Sequence, residues 1–504
     1  MPTQKIIDLH THLFNAGYVP LREIMNVSWG IPKAESYLIA KLIRVFIKYS
    51  DLDYEQAFKN ARAEKSLTHG DELIYDEYSR VIENLALQVY EHPNANLHAE
   101  ELSQLLDQIE FEYGEESEFH ETRKELASFG SWVGKAIKKL LEKAFSAIES
   151  GLDKLDFVFK MLCSETYLLT QLQKFYHRKF GDSFLLMHLM MDMQYPYHAK
   201  KGSIPVNFDE EQLPKMAALS QRSAGSLIGF SAFDPLRCLT LKLDKREITE
   251  RIEASRDYGM CGFKFYPPLG YKPSGNDDPK LEAVVDVFFS YCENNGIPVF
   301  THCTPTGFEV HPGKSGEHAH PKYWKVRLEK NPNLIVCFGH AGGGKRMFQG
   351  NQEMGWLAGG GLDSEEWASE NNFARWVAEL CRTYPNAYCE FGYSHEVMNS
   401  ASDEQLFIKR LTMELNRNDG FYSLSEKIMY GSDWHMPEVV NDLNKYIESM
   451  VRIFDSPDYD LAGVKELFFY ENAIKYLNLD KYLDWVGSRL GTIYVQQLRN
   501  RIGI

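Results

Sequence analysis

Two histidines near the start of the chain are the first residues whose types and spacing could do chemistry. They are His10 and His12, in a stretch where apolar Ile7 and Leu9 alternate with polar residues. Such alternation predicts a β-strand, in which residues two apart point to the same face. Two neutral imidazoles at that spacing can bind one metal ion together. The pair is a weak signal by itself, so further ligands have to come from the rest of the chain.

The elements that must position these histidines are predicted from residue 184 onward, where the pattern repeats strand, loop and helix. Amphipathic helical segments, such as 246–258, 279–294, 370–383 and 403–417, alternate with apolar strands. With the opening strand, eight strands are predicted, the other seven being Phe184–Asp192, Leu227–Phe233, Cys261–Tyr266, Pro298–Cys303, Leu334–His340, Ala387–Phe391 and Lys427–Asp433. Buried strands that alternate with helices are typical of a parallel sheet, and eight such units predict an α/β fold, the (β/α)8 TIM barrel.

A long helical region interrupts this pattern after the first strand. Between about residues 20 and 181 there is almost no strand signal, and helical runs are predicted around 37–49, 73–90, 98–112 and 133–178. The sequence therefore predicts a barrel formed by residues 1–19 and 182–504. Residues 20–181 are predicted to be a large helical insertion between strands 1 and 2, which could cap the active site.

Polar residues collect where the predicted strands end. They are His10, His12, Asp192, Asp234, Lys264, Tyr266, His302, His340, Glu390, Asp433 and His435. In a barrel of this kind, the carboxyl ends of the strands carry the chemistry. Apolar packing inside a barrel gives no reason for three basic rings and a carboxylate at successive strand ends, so a shared site is predicted there. Asp8 lies one layer deeper on the first strand and is predicted to form structural hydrogen bonds.

The composition is that of an ordinary globular protein and disfavours several kinds of partner. The 504 residues are 44% hydrophobic and 25% charged, and the formal net charge is −16. This charge argues against nucleic acid or an anionic membrane surface as the main partner. The most apolar helical run, 37–49, is too short and too charged to span a bilayer. A small-molecule substrate is the expected partner, and assembly into a homo-oligomer is left open.

The cysteines and the first residues predict the compartment. The eight cysteines are scattered, without a Cys-x-x-Cys pair or a regular framework, which is typical of a reducing environment. The polar residues 1–5 leave no room for the apolar segment of a signal peptide before the first strand. We therefore expect a cytoplasmic enzyme.

Four motifs at the strand ends resemble those of a known family. They are Asp8-Leu-His-Thr-His12, Phe300-Thr-His-Cys303, Gly339-His-Ala-Gly-Gly343 and Tyr430-Gly-Ser-Asp-Trp434. In this order they resemble the amidohydrolase superfamily, in the branch called amidohydrolase-related or amidohydrolase-2. The later segment 468–477 is similar to that branch's closing helix. The resemblance covers residues 1–14 and about 184–480, so the helical insertion lies outside it.

The resemblance implies a metal site and assigns its ligands. His10, His12, His302 and Asp433 would hold one divalent metal, and His340 would act on the substrate and water or bind a second metal. Zn²⁺ is the first choice for this ligand set, while Mn²⁺, Fe²⁺ and Co²⁺ are compatible with the same ligand types. Binuclear members carry a carbamylated lysine at the position of Lys264, but one metal and an unmodified lysine are favoured here.

The implied chemistry is hydrolysis. A divalent metal brings the pKa of water toward about 7, and Asp433 and His340 are predicted to be catalytic residues that handle the proton and polarise the carbonyl. The candidates for binding the substrate are Lys264, Tyr266, Arg346 and His435. We thus predict a metal-dependent hydrolase that cleaves an amide, ester or lactone bond of a small molecule. The alternative is a metal-dependent non-oxidative decarboxylase or hydratase of an aromatic or unsaturated carboxylic acid, because the same branch includes decarboxylases.

Overall fold

The structure is a computed structural model, and its described residues form two compact units. The described residues are 4–48, 72–91, 99–114, 129–148, 151–197, 207–348, 352–434, 443–456 and 461–503. The first unit comprises Met1–Leu13, Leu169–Lys200 and Val206–Ile504, and the second comprises Phe14–Leu168 and Lys201–Pro205. The predicted domain division at residues 19/20 and 181/182 stays a prediction.

Eight parallel strands form the sheet of the first unit. In spatial order they are β1 (Ile6–Thr11), β2 (Phe184–Leu189), β3 (Leu227–Ala232), β4 (Gly262–Phe265), β5 (Val299–His302), β6 (Val336–Gly339), β9 (Ala387–Glu390) and β10 (Ile428–Met429). Backbone hydrogen bonds join the two end strands, because the N–H of Leu9 donates to the carbonyl of Tyr430 at 3.2 Å and that of His12 to Trp434 at 2.7 Å. The predicted (β/α)8 barrel is confirmed. An antiparallel hairpin, β7 (Arg346–Phe348) with β8 (Gln352–Met354), lies outside the barrel sheet.

The register of the strands brings the carboxyl ends of neighbouring strands to one level. On β5 and β6, His302 pairs with Gly339, so that His340 follows one residue beyond that level. On β9 and β10, Glu390 pairs with Met429. Side chains that are far apart in sequence therefore emerge beside one another at the carboxyl end of the barrel.

Helices of the first unit begin at side chains suited to capping. Asp244 and Glu247 form a capping box, and the side chains of Asp234, Asp278 and Asn372 accept backbone N–H groups of the helices that follow them. The helices of this unit that follow β2 are Leu213–Arg222, Pro235–Leu241, Lys245–Asp257, Pro279–Asn295, Pro321–Lys330, Glu365–Ala368, Phe373–Thr383, Ala401–Leu415, Leu443–Phe454, Ala462–Glu466, Asn472–Tyr476, Leu479–Leu490 and Thr492–Ile502.

The described part of the second unit is helical, as the sequence predicted for this region. Its helices are Leu21–Glu23, Lys33–Ile47, Glu72–Glu91, Ala99–Tyr113, Phe129–Phe145 and Gly151–Lys160. A further helix, Glu165–Phe180, contains the boundary between the units. The predicted helical run 133–178 is thus divided among three helices. A role of the insertion as a cap stays a prediction.

Two further observations concern the environment of the protein. Within the described ranges, no helix is both long and apolar enough to cross a bilayer. All eight cysteines are buried free thiols.

Candidate metal centre

Three side chains from three different strand ends lie close enough to hold one cation. His10 is on β1, His340 directly follows β6, and Asp433 lies four residues after β10. One ligand atom from each of the three can be chosen so that all lie within 4.8 Å of one another, and all three residues are buried. His12 lies beside them, because its Nε2 is 3.2 Å from Oδ1 of Asp433. The structure therefore gathers His10, His12, His340 and Asp433 at the predicted end of the barrel.

Hydrogen bonds show which ring nitrogen of these histidines carries the proton. In each case Nδ1 faces an oxygen that only accepts: the distances are 2.8 Å from His10 to Oε1 of Glu390, 3.0 Å from His12 to the carbonyl of Leu189, and 2.8 Å from His340 to the carbonyl of Gly392. Because a carbonyl or an ionised carboxylate has no proton to give, Nδ1 must be the donor. In a neutral imidazole, Nε2 then carries only a lone pair.

These lone pairs face a group that is also an acceptor. Nε2 of His10 and Nε2 of His12 are each 3.2 Å from the same oxygen, Oδ1 of Asp433. With Nδ1 protonated, no proton lies between the nitrogens and the carboxylate, so the contacts are repulsive unless a cation lies among them. Imidazole and carboxylate donors with outer hydrogen bonds to carbonyl or carboxylate oxygens are a common ligand set for divalent transition metals. The residues present fit such an ion.

The protonation states also suit metal binding. Burial lowers the pKa of His10 well below its ordinary value and lowers that of His340 to about 4, so both rings are neutral at pH 7. Burial alone would raise the pKa of Asp433, whereas a positive charge on the neighbouring His10 and a hydrogen bond from His12 would lower it below its ordinary value. A cation held among neutral rings would supply the same positive charge. Neutral imidazoles and an ionised carboxylate are the forms that ligate metals.

His302, the fourth predicted ligand, lies at the edge of this group. Its Nε2 is 2.5 Å from the carbonyl of Thr306, and its Nδ1 is 3.1 Å from Nε2 of His340. By the same reasoning Nε2 holds the proton, and the lone pair of Nδ1 faces His340. The cluster of described residues within 4.8 Å does not include His302, so its role as a ligand stays a prediction.

Glu390 is a site residue whose role the sequence did not reveal. It ends β9 and is fully buried, and Oε1 accepts hydrogen bonds from Nδ1 of His10 at 2.8 Å and from the backbone N–H of His340 at 2.7 Å. Its Oε2 accepts the N–H of Gly392. The only sequence signal was its place at a strand end, since the partners that define its role lie on other strands.

Lys264 and Tyr266 project from the end of the barrel strand β4. Lys264 is 2% exposed, and within the described part of the chain its Nζ has no hydrogen-bond partner. Burial lowers the pKa of Lys264 to about 8, although the carboxylates of Asp433 and Glu390 favour its charged form. The hydroxyl of Tyr266 accepts the backbone N–H of Phe308 at 3.0 Å. Among the described residues, a buried ammonium without an acceptor therefore lies beside the candidate metal centre.

The other two predicted substrate-binding residues cannot be placed. Arg346 belongs to strand β7, but its side chain lies outside the described part of the structure, as does the whole of His435.

Two aspartates at strand ends, Asp192 and Asp234, and the deeper Asp8 have structural partners. Arg237 binds both carboxylate oxygens of Asp192, at 2.6 and 2.8 Å, and Asp234 caps the helix Pro235–Leu241. Asp8 accepts the backbone N–H groups of His10 and Ser432 at 3.1 and 2.9 Å, so its predicted hydrogen-bonding role is confirmed. A polar residue at a strand end is thus insufficient evidence for catalysis.

Comparison with solved structures finds barrels of low overall similarity. One is an uncharacterized TIM-barrel protein from Bordetella bronchiseptica, with 15% identity, a TM-score of 0.38 and coverage of 62% of this chain and 83% of that chain. Another is an amidohydrolase from Burkholderia multivorans with bound Zn, with 15% identity, a TM-score of 0.31 and coverage of 53% and 89%. A third is 2,6-dihydroxybenzoate decarboxylase from Rhizobium, with 11% identity, a TM-score of 0.31 and coverage of 62% and 87%.

The sequence itself matches a family model. Residues 238–479 match the model described as amidohydrolase. No curated protein matches the sequence. The matched segment includes three of the four motifs, those around His302, His340 and Asp433. The resemblance to the amidohydrolase family that the sequence motifs predicted is therefore confirmed over residues 238–479.

Proposed function

We propose that this protein is a metal-dependent hydrolase that uses water to cleave an amide, ester or lactone bond of a small molecule. The observation that supports this most directly is the contact of two Nε2 atoms, those of His10 and His12, with one carboxylate oxygen of Asp433. A divalent cation held there, Zn²⁺ first with Mn²⁺, Fe²⁺ and Co²⁺ as alternatives, would lower the pKa of water and polarise a carbonyl group. His302 remains a proposed fourth ligand, and a single metal is favoured.

The proton is handled by the chain's own residues. Asp433 is ionised and lies at the carboxyl end of the barrel, so it can accept the proton of the attacking water and return it to the leaving group. The pKa of His340, about 4, makes its Nε2 an acceptor at pH 7. His340 can therefore orient the water or share its proton, but it would be a poor acid.

The surroundings of Lys264 favour a substrate that carries an anionic oxygen. No group of the described residues accepts a hydrogen bond from its Nζ, and a buried ammonium in that state is unfavourable in the free protein. A carboxylate or carbonyl oxygen of the substrate would supply the missing acceptor in a charge-assisted hydrogen bond. Tyr266 lies next to Lys264, its ring centroid 5.6 Å from Nζ, and we keep it, Arg346 and His435 as proposed substrate contacts.

The same lysine favours one alternative reaction. In a non-oxidative decarboxylase, the carboxylate of an aromatic or unsaturated acid would lie against Lys264, and a proton would be delivered to carbon instead of to a leaving heteroatom. Release of CO₂ without incorporation of oxygen from water would identify this reaction. Hydrolysis would instead transfer oxygen from labelled water to the product.

We further propose that the protein works in the cytoplasm on a small molecule. The eight buried free thiols are compatible with a reducing compartment. Association into a homo-oligomer stays open.

The test of this function compares two buried aspartates that follow barrel strands. We expect the purified protein to hold about one divalent cation per chain, and Asp433→Ala and His302→Ala to lose both the cation and the activity in a screen of esters, amides and lactones. Asp234→Asn is the matched control, because Asn caps a helix as well as Asp, and it should keep both. Full metal content or full activity in Asp433→Ala would contradict the proposal.

A further inference from the structure

We propose that Trp356 and Arg410 are positioning residues, which hold the strained turn at His340 so that the imidazole faces the metal centre. This inference rests on the proposed function, because it assigns the two residues a task at that centre. Neither residue lies within the four sequence motifs, and neither is among the residues gathered around Asp433.

Four successive residues have positive φ angles, and the strain lies in the first two. The φ angles are +64° at His340, +47° at Ala341, and +88° at both Gly342 and Gly343. Glycine adopts such angles readily, whereas His and Ala are disfavoured there by contacts of Cβ with the backbone. Non-glycine residues keep such angles only when their surroundings hold them, and they cluster at functional sites. The turn therefore needs external contacts.

Trp356 supplies contacts on the side of the turn that follows His340. Its indole N–H donates to the carbonyl of Ala341 at 2.9 Å, and its backbone N–H donates to the carbonyl of Gly343 at 2.9 Å. The next residue, Leu357, donates its N–H to the carbonyl of Gly344 at 2.8 Å. Trp356 is 1% exposed, so water cannot replace these donors, and the peptide after His340 is bound by three hydrogen bonds.

Arg410 holds the segment that carries Trp356. It lies in the helix Ala401–Leu415, is fully buried, and donates to the carbonyls of Trp356 at 2.6 Å, Ala358 at 2.7 Å and Gly361. Burial lowers its pKa to about 10, which reflects the cost of placing a guanidinium where these acceptors are neutral. The buried guanidinium of Arg410 thus fixes three backbone carbonyls at a cost in free energy. This indicates that the protein requires a defined geometry of the segment that carries Trp356.

The contacts form a continuous series from Arg410 through Trp356 to Ala341, which adjoins His340. Two other hydrogen bonds fix His340 itself. Its backbone N–H donates to Glu390 at 2.7 Å, and its Nδ1 donates to the carbonyl of Gly392 at 2.8 Å. Without the indole N–H, the peptide at Ala341 would be free to relax toward an ordinary φ. Nε2 of His340 would then be less well placed toward the metal centre.

The test uses two buried tryptophans. Trp356→Phe removes the indole N–H and keeps an aromatic ring. Trp324→Phe is the matched control, because Trp324 is 0% exposed and its indole N–H has no hydrogen-bond partner among the described residues. Hydrogen exchange is measured by mass spectrometry on a peptide covering residues 340–345 of the metal-free protein. We expect exchange to become about tenfold faster in Trp356→Phe and to stay unchanged in Trp324→Phe.

A spectroscopic arm uses Co²⁺ as the probe. We expect Trp356→Phe to weaken Co²⁺ binding about tenfold and to change the visible absorption band of bound Co²⁺, while Trp324→Phe keeps both. Arg410→Lys should change the exchange of the same peptide in the same direction. Wild-type exchange and an unaltered Co²⁺ band in Trp356→Phe would overturn the proposal. Faster exchange in a protein whose wild type binds no Co²⁺ would support the positioning role and contradict the proposed function.

Discussion

Glu390 shows how one residue can determine the protonation of one histidine and the position of another. Its Oε1 accepts both Nδ1–H of His10 and the backbone N–H of His340. The first bond leaves the lone pair of His10 on Nε2, and the second holds the start of the strained turn. Such outer carboxylates orient a ligand and raise its basicity. A single buried side chain on β9 therefore prepares groups from β1 and β6 for the same cation.

Replacing Glu390 by glutamine tests this role. Glu390→Gln keeps the shape but removes the negative charge that polarises His10, and its amide N–H₂ must face a group that itself donates. We expect the affinity for Zn²⁺ to fall by about 10- to 100-fold, measured by competition with a chelator. Glu414→Gln is the control, because Glu414 is equally buried but binds Arg382 at 2.5 Å. It should lower Tm and leave Zn²⁺ affinity unchanged, and an equal loss of affinity in both variants would contradict the assignment.

The element that most directly shapes the site is the loop after β5. Its residue Thr306 binds His302 through a carbonyl, and Phe308 donates its N–H to the hydroxyl of Tyr266. Between them, Gly307 has a φ of +151°, and a Cβ built on it would lie 2.5 Å from the hydroxyl of Tyr266 and 3.0 Å from Nε2 of His302. The loop can approach both rings only because this residue has no side chain.

This close approach predicts the effect of Gly307→Ala. The added methyl group must displace the Tyr266 hydroxyl or the His302 ring, so we expect kcat/KM to fall by about tenfold or more. The control is Gly313→Ala in the same loop, where φ is +69° and a Cβ would meet nothing of the described structure within 4 Å. Both variants place alanine at a positive φ, which costs about 1–3 kcal/mol, and thermal melting measures this cost for each variant. Comparable activity in the two variants would show that the approach to Tyr266 and His302 is unimportant.

At the scale of the whole molecule, burial of neutral histidines couples stability to pH. Burial lowers the pKa of six histidines, to about 4 for two of them, His320 and His340. The other four are His10, His188, His302 and His318. These groups bind more protons in the unfolded chain between about pH 4 and 6.5, so they make the free energy of unfolding rise with pH there. Burial raises the pKa of four carboxyl groups, which act in the opposite sense: Asp8, Asp234, Glu309 and Glu390. The six histidines outnumber the four carboxyl groups, and histidine of the unfolded chain titrates between pH 5 and 7, so the effect of the histidines is the larger one in that interval.

We therefore expect the metal-free protein to lose stability as the pH falls from 6.5 toward 4. The displacement of the His340 pKa from 6.5 to about 4 corresponds to about 3 kcal/mol for this residue. Urea unfolding at pH 5 and pH 7 measures the change. His340→Asn should reduce the slope by about 1.4 kcal/mol per pH unit. A wild type that is equally stable at both values would contradict the prediction.

The sequence by itself determined the architecture and the resemblance to a family. Strands such as Phe184–Leu189 and Val336–Gly339 could be predicted because a strand that is buried on both faces consists of a continuous run of apolar residues. The repetition of strand and helix then left few arrangements other than a barrel. The amidohydrolase family and the strand ends that bear histidine and aspartate could be predicted for the same reason, since a motif is a local pattern.

Only the tertiary structure decided how these residues are bound. Which nitrogen of His10 carries a proton depends on Glu390, 380 residues away in sequence. Asp192 and Asp433 both follow barrel strands, yet Arg237 binds the first and imidazoles surround the second. Local patterns cannot separate these two aspartates, because a hydrogen-bond partner is set by which distant segments meet.

The strained turn at His340 and its support by Trp356 and Arg410 were also decided by the tertiary structure alone. Each of these contacts joins segments that the sequence keeps apart. Periodicity along the chain reports which faces are buried, whereas the protonation and orientation of a buried polar group depend on the acceptors that folding brings to it.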